Sequence, residues 1–318
     1  MHVIKIAEDR SLRWVEVPDP VIKDDEILID VRAAALNRAD LLQRAGHYPP
    51  PPGWPDWMGL EVAGTVSKAP ADSRWQVGDK VCALLGGGGY AEQVAVPADM
   101  VLPIPEGLSF VEAAAIPEAF ATSHLNLCIE GGLQSGDTAF IQAGASGLGV
   151  AAIQLAKAIG AKVVTTVGSD DKAALVNRLG ADVVINHRKE NVAEVLARHP
   201  VNVAMDCVAG PDLGSYLETV AAGCRWIVIA TLGGSTSDIN MNSFFRRGIK
   251  LIGSTLRSRT TQMKAEILAD LEKQYWQAFS SRQIQLLIHK ALPITQAEQA
   301  HAILERNENL GKVVLTIE

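Results

Sequence analysis

Cysteine is scarce in this chain: Cys82, Cys128, Cys207 and Cys224 are the only four in 318 residues, and no C-x-x-C pair occurs. That spacing excludes a zinc ribbon and a disulfide framework, and a chain of this length buries enough surface to fold without covalent staples. Aromatic residues are equally few, 5% against 48% hydrophobic residues overall. The bulk of the core is therefore aliphatic, as in parallel α/β sheets. Basic charge is not in excess: 29 Lys and Arg against 36 Asp and Glu give a net −7. This disfavours a surface for nucleic acid or anionic membrane. The amino terminus, Met1–Lys5, lacks a long apolar stretch and reads as a first strand rather than a signal peptide. One uncharged run, Thr138 to Ala156, approaches the ~20 residues of a bilayer span, but Gly144, Gly147, Gly149, Gln142 and Gln154 interrupt it. The simplest placement is cytoplasmic.

What the chain does have is length for about two domains and 27 glycines. The first hundred residues read as short strands and turns: Ile27–Val31, Val62–Val66, Lys80–Leu85 and Tyr90–Val96, with Gly86–Gly89 as a loop. Ser109-Phe110-Val111-Glu112 fits a capping box, and a helix over Phe120–Leu127 is predicted after a break at Pro117. From there apolar strands and helices alternate: Thr138–Gln142, Leu148–Ile159, Lys162–Val167, Asp171–Leu179 and Val183–Asn186, then Val201–Cys207, Trp226–Ala230 and Lys250–Ser254. Such alternation means a parallel sheet covered by helices on both faces. Helices at Met263–Ala278 and Ala297–Arg306 and a strand at Lys312–Ile317 close the chain. The β-rich domain is expected to be completed by this tail, with the α/β domain inserted.

The sharpest local feature is Ala143-Gly144-Ala145-Ser146-Gly147-Leu148-Gly149 between an apolar strand and an apolar helix. A helix amino terminus offers unpaired N–H groups and a positive dipole to a pyrophosphate. Gly144 suits the tight turn and Gly149 close helix–strand packing, while Ser146 and Gly147 stand where the G-x-G-x-x-G pattern has its middle glycine. The loop is read as a dinucleotide site. About 20 residues on, an acid would hold the 2′-hydroxyl of NAD. Here the strand ends in Gly168-Ser169-Asp170-Asp171-Lys172. Ser169 and Lys172 could bond a 2′-phosphate, or serve as helix cap and solvated first-turn residue; Asp170 or Asp171 could instead serve a ribose. NADPH is the favoured cofactor.

At this point the residues resemble a known family, the medium-chain dehydrogenase/reductase superfamily in its zinc-free quinone oxidoreductase branch. The resemblance runs along essentially the whole chain: ALNRADLLQRAGHYPPPPG (Ala35–Gly53), VGDKVCAL (Val77–Leu84), the nucleotide loop, TLRSR (Thr255–Arg259) and NLGKVVL (Asn309–Leu315) occur in the family's order. It implies a doubly wound Rossmann domain (119–259) inserted into a GroES-like β-rich catalytic domain (1–118, completed by 260–318). It further implies that Asn37 and Tyr48 face the nicotinamide and substrate. Thr122, Leu232 and Gly233, Ser254, Thr255 and Leu256, and Asn309 and Lys312 would then contact the cofactor. His187 stands where many relatives carry tyrosine and could stack on adenine or ribose. Each has a plainer reading: Asn37 could cap a helix, Tyr48 stack on the proline run, and Lys312 be solvated.

Zinc-dependent relatives carry cysteine at the position of Asn37 and Gly-His-Glu at Gly59-Leu60-Glu61. Asparagine and leucine are not zinc donors, so no metal is expected. The resemblance implies an NADPH:quinone reductase passing hydride or single electrons to a small quinone, with Tyr48 and Asn37 as catalytic residues, acting as a homodimer. An enone or 2-alkenal reductase is the nearest alternative. An NADPH-binding structural or RNA-binding protein is a third.

Overall fold

The alternating runs of the first hundred residues pair into an antiparallel sheet around one long strand, Glu26–Ala35. In the computed structural model, which describes all residues 1–318, the chain divides into two units. Met1–Ala121 and Arg257–Glu318 form one, Thr122–Leu256 the other.

The first unit holds a seven-stranded sheet in the order Ile288–Pro293, Lys312–Thr316, Glu26–Ala35, Glu61–Lys68, Lys80–Leu84, Val101–Pro103, with Gln93–Pro97 also pairing Glu26–Ala35. Only the two carboxyl-terminal strands run parallel. His2–Ile6 and Leu12–Glu16 make a separate hairpin. Glu26–Ala35 is buried along nearly its whole length, and Gly64 lets a neighbour cross it closely, since a Cβ there would fall on the Asp30 carbonyl. The tail strand pairs Val314 with Ala35, which brings Lys312 beside Leu36 and Asn37. A short helix, Arg38–Arg44, starts after Asn37. The long helix Thr261–Ser280 is capped by the Thr260 hydroxyl and seats Phe279 edge-on against Phe120.

In the second unit six parallel strands run in the order Val183–Asn186, Lys162–Val167, Thr138–Ile141, Val203–Asp206, Arg225–Val228, Lys250–Gly253. This is the doubly wound order, and it reverses between Thr138–Ile141 and Val203–Asp206, where such sheets bind ligands outside the strands' carboxyl ends. Three aromatics meet in its core, where Trp226 lies 5.5 Å from Phe140 and 6.1 Å from Tyr216.

One expectation needs correction. The helix expected over Phe120–Leu127 is Pro117–His124 followed by a π-helical turn, Leu125–Glu130. Pro117 opens the helix because its missing N–H falls where first-turn amides have no intrahelical partner. The uncharged run Thr138–Ala156 is strand, loop and helix. No helix is long and apolar enough to cross a membrane.

Candidate active site

The helix Gly147–Ile159 begins immediately beyond the strand Thr138–Ile141, at the reversal point. Ser146 caps it, its hydroxyl accepting from the Gly149 amide at 3.0 Å. The first amides of any helix lack intrahelical acceptors, and here those of Gly147 and Leu148 are free to meet an anion. The glycines are set by packing: a Cβ on Gly144 would fall on Thr165 Oγ1, and one on Gly149 would stand 2.6 Å from Gly144 Cα. Ala145 is buried beneath the loop.

Behind this loop sits Asp206, a residue that motif reading did not single out. Fully buried, it accepts from Gln142 Nε2 (2.9 Å), the amides of Val208 (2.7 Å) and Ala209 (2.8 Å), and Trp226 Nε1 (2.9 Å). One carboxylate thus braces the ends of two adjacent strands. Leu232 and Gly233 follow in a loop whose amides bond the carbonyls of Cys207 and Val208. Ser254 ends the edge strand with a buried hydroxyl that has no protein partner, followed by Thr255 and buried Leu256.

The tip of Lys162–Val167 is basic. A Cβ on Gly168 would stand 3.2 Å from His187 Nε2 and 3.6 Å from Arg188 Nε. Partial burial, then the charges of Arg188 and Lys172, lower the His187 pKa. Asp170, one of the acids that could have served a ribose, is taken up by Lys189 (2.7 Å) and Asn186 (3.0 Å), and Lys189 with Asn186 holds its pKa down. Ser169 caps the helix Asp170–Arg178. Arg188 is paired with no carboxylate, and sequence reading passed over it because it lies in an irregular turn without a motif. Free amides at a helix start, an orphaned Ser254 hydroxyl and a strand tip that carries Arg188 and Lys172 are features that a phosphorylated dinucleotide would satisfy. Thr122 lies in the same unit, its carbonyl accepting from Asn126 Nδ2 at 2.7 Å.

In the other unit, Tyr48 meets a buried cation. Its ring faces the Arg257 guanidinium, 4.6 Å from centroid to Cζ, a favourable cation–π contact. Arg257, also outside the expected set, is buried and donates to the carbonyls of Gly86 (3.0 Å) and Tyr48 (2.9 Å) and to Gln43 Oε1 (2.7 Å). Burial, then the Glu118 charge, raises the Tyr48 pKa against the opposing pull of Arg257. The phenol is neutral at pH 7, and its hydroxyl makes no protein hydrogen bond. Trp54 and Trp57 are packing residues of this region: Trp54 covers Gly86, and Trp57 Nε1 donates to the Gly88 carbonyl.

Asn37 is held from several directions. Asp40 accepts from its backbone amide at 2.7 Å, its Nδ2 donates to Glu61 Oε1 at 3.0 Å, and its Oδ1 accepts from Lys312 Nζ at 2.8 Å. Lys312, which the resemblance directs to the cofactor, turns its ammonium inward onto the Leu36 carbonyl and Glu61 as well, both at 2.6 Å. Asp40 also accepts from the Tyr90 hydroxyl and the Gly59 amide, yet complete burial pushes its pKa up to about 6. Asn309 is turned onto the Gly311 carbonyl.

Comparison with known proteins adds the following. Residues 23–106 match the family model of the alcohol dehydrogenase GroES-like domain, and residues 147–273 that of the zinc-binding dehydrogenase. The quinone oxidoreductase of Sus scrofa is 29% identical over 323 residues, covering 99% of this chain and 94% of that protein. The solved structure of mycobacterial Rv1454c complexed with NADPH superposes over 100% of both chains at TM-score 0.86 and 28% identity. JamJ enoyl reductase, at TM-score 0.88 and 24% identity over 100% of this chain and 99% of that one, shares the fold.

Proposed function

We propose that this chain, which belongs to the zinc-free quinone oxidoreductase branch of the medium-chain dehydrogenase/reductase superfamily, reduces quinones and similar electron-poor acceptors with NADPH. The observation that carries the reading is Tyr48: a neutral phenol fixed on the Arg257 guanidinium with its hydroxyl uncommitted. A quinone oxygen needs a hydrogen-bond donor and a proton rather than a Lewis acid, and Asn37 with Leu60 replaces the donors that a catalytic zinc would require.

When bound, NADPH supplies the hydride. The chain's own groups do the rest. The amides of Gly147 and Leu148 hold the pyrophosphate, and Arg188, Lys172 and Ser169 select the 2′-phosphate. Tyr48 and Asn37 orient the acceptor, and the Tyr48 hydroxyl donates a proton to the reduced oxygen. The quinone oxidoreductase relatives and the NADPH bound to Rv1454c support the same assignment.

The test is NADPH oxidation by purified protein with 1,4-benzoquinone and 9,10-phenanthrenequinone, set beside short 2-alkenals. Turnover on the quinones is expected. Turnover confined to the alkenals would make the chain an enone reductase, and no turnover on either would overturn the proposal.

A further inference from the structure

The buried charges around Asn37 form a device for aiming one amide. Lys312 begins the tail strand and Glu61 begins its own strand; both side chains are nearly or wholly buried, with an ammonium–carboxylate distance of 2.6 Å. All three ammonium protons are engaged, on the Leu36 carbonyl, Asn37 Oδ1 and Glu61 Oε1. The second Glu61 oxygen accepts from the Glu118 amide at 2.8 Å, at the start of the helix Pro117–His124. Asn37 lies between the two charges with oxygen toward the cation and nitrogen toward the anion, its Nδ2 making only a long 3.4 Å contact besides, to the Ala35 carbonyl. Flipping the amide would set Oδ1 against a carboxylate and NH₂ against an ammonium, both repulsive in a site with little water to screen them. Its backbone is tied separately by Asp40.

The geometry points to Lys312 and Glu61 as positioning residues: they fix which way Asn37 presents its amide to the acceptor, and Lys312 does not itself bind the cofactor. An ammonium with three short bonds inside the protein has no proton left for a ligand. This inference rests on the proposed role of Asn37 toward the acceptor.

The experiment compares wild type, the charge-balanced double variant E61Q/K312M, N37A and the triple variant N37A/E61Q/K312M. The double variant removes both members of the buried pair and so avoids the stranded carboxylate that would unfold K312M alone. In E61Q/K312M the quinone kcat is expected to fall about tenfold, a loss of orientation, while the Kd for NADPH, read by fluorescence titration, stays within about twofold. E61Q/K312M should add nothing to N37A, because both act through one group. Without any cofactor, the Asn37 side-chain amide resonances, identified by their absence in N37A, should be sharp and slow to exchange in wild type and should shift and broaden in E61Q/K312M.

A tenfold weaker NADPH affinity with unchanged kcat would make Lys312 a cofactor ligand and overturn the inference, as would additive losses in the triple variant N37A/E61Q/K312M or unmoved Asn37 resonances. If wild type reduces no acceptor, the functional reading fails, and the cofactor-free resonances still decide whether the charges pin the amide.

Discussion

His301 is the residue least at home in its surroundings. It is fully buried, neither ring nitrogen has a partner, and its ring meets the edge of Tyr90 at 6.0 Å. Burial, aided by the Arg44 charge, drives its pKa down to about 3. The unfolded chain therefore takes up this proton first, and stability falls by about 1.4 kcal/mol per pH unit as pH drops below ~6.5. Asp40 works the other way. Its folded pKa of about 6 lies above the ordinary 3.8, so the folded state holds the proton more tightly and gains stability as pH falls from 6 toward 3.8. The two slopes oppose each other. His301→Leu should be neutral or stabilising at pH 7, since it removes unmet polar atoms. Its advantage over wild type should then grow by about 1.4 kcal/mol per pH unit below ~6.5, a difference that urea unfolding at pH 7, 6 and 5 would measure. Arg188 carries a separate prediction. Arg188→Ala should raise KM for NADPH about tenfold, as loss of a charge-assisted contact to phosphate would, with KM for NADH unchanged in steady-state assays.

At the level of elements, the join between the strand Thr138–Ile141 and the helix Gly147–Ile159 depends on absent side chains. Gly149→Ala would press a methyl against Gly144 Cα and the Ala143 carbonyl, backbone that cannot yield. The expected result is a loss of about 1–3 kcal/mol together with weaker NADPH binding, read by thermal unfolding and fluorescence titration. This join was legible in advance because its glycines serve local geometry, and local geometry is written in adjacent residues. The short helices Arg38–Arg44, Val192–Arg198, Leu213–Leu217 and Met241–Arg246 were not, because helices of one or two turns gain their stability from packing rather than from their own pattern. The π-helical turn Leu125–Glu130 was missed for a related reason: it adjusts a helix that periodicity alone describes as regular.

At the level of the whole molecule, the edge of the parallel sheet is the surface that calls for a partner. Lys250–Gly253 is the outermost strand, with Leu251 39% exposed, and the helix before it exposes Met241 (62%) and Phe245 (63%). Open strand edges beside apolar side chains are usually covered. The neighbouring apolar run Trp226–Ala230 offers no such edge: its strand lies inside the sheet, and Trp226 is fully buried. Light scattering is expected to show a homodimer, and the double variant L251K/F245E a monomer that still binds NADPH. A monomeric wild type would remove the edge strand as an interface.

The class of fold, the glycine loop between strand and helix and the absence of zinc donors at Asn37 and Leu60 could be read from the sequence alone, because each depends on residues adjacent in the chain or on simple alternation. Tertiary structure decided what the isolated polar residues do. Lys312, read as solvated or cofactor-bound, became an internal cation; Arg257 became the platform for Tyr48; Asp206 became the brace between two strand ends. Each role is set by partners tens to hundreds of residues distant, brought together by strand pairing such as Val314 with Ala35. A charged side chain far from its partner in sequence carries no local signal of burial, so only the folded chain could assign it.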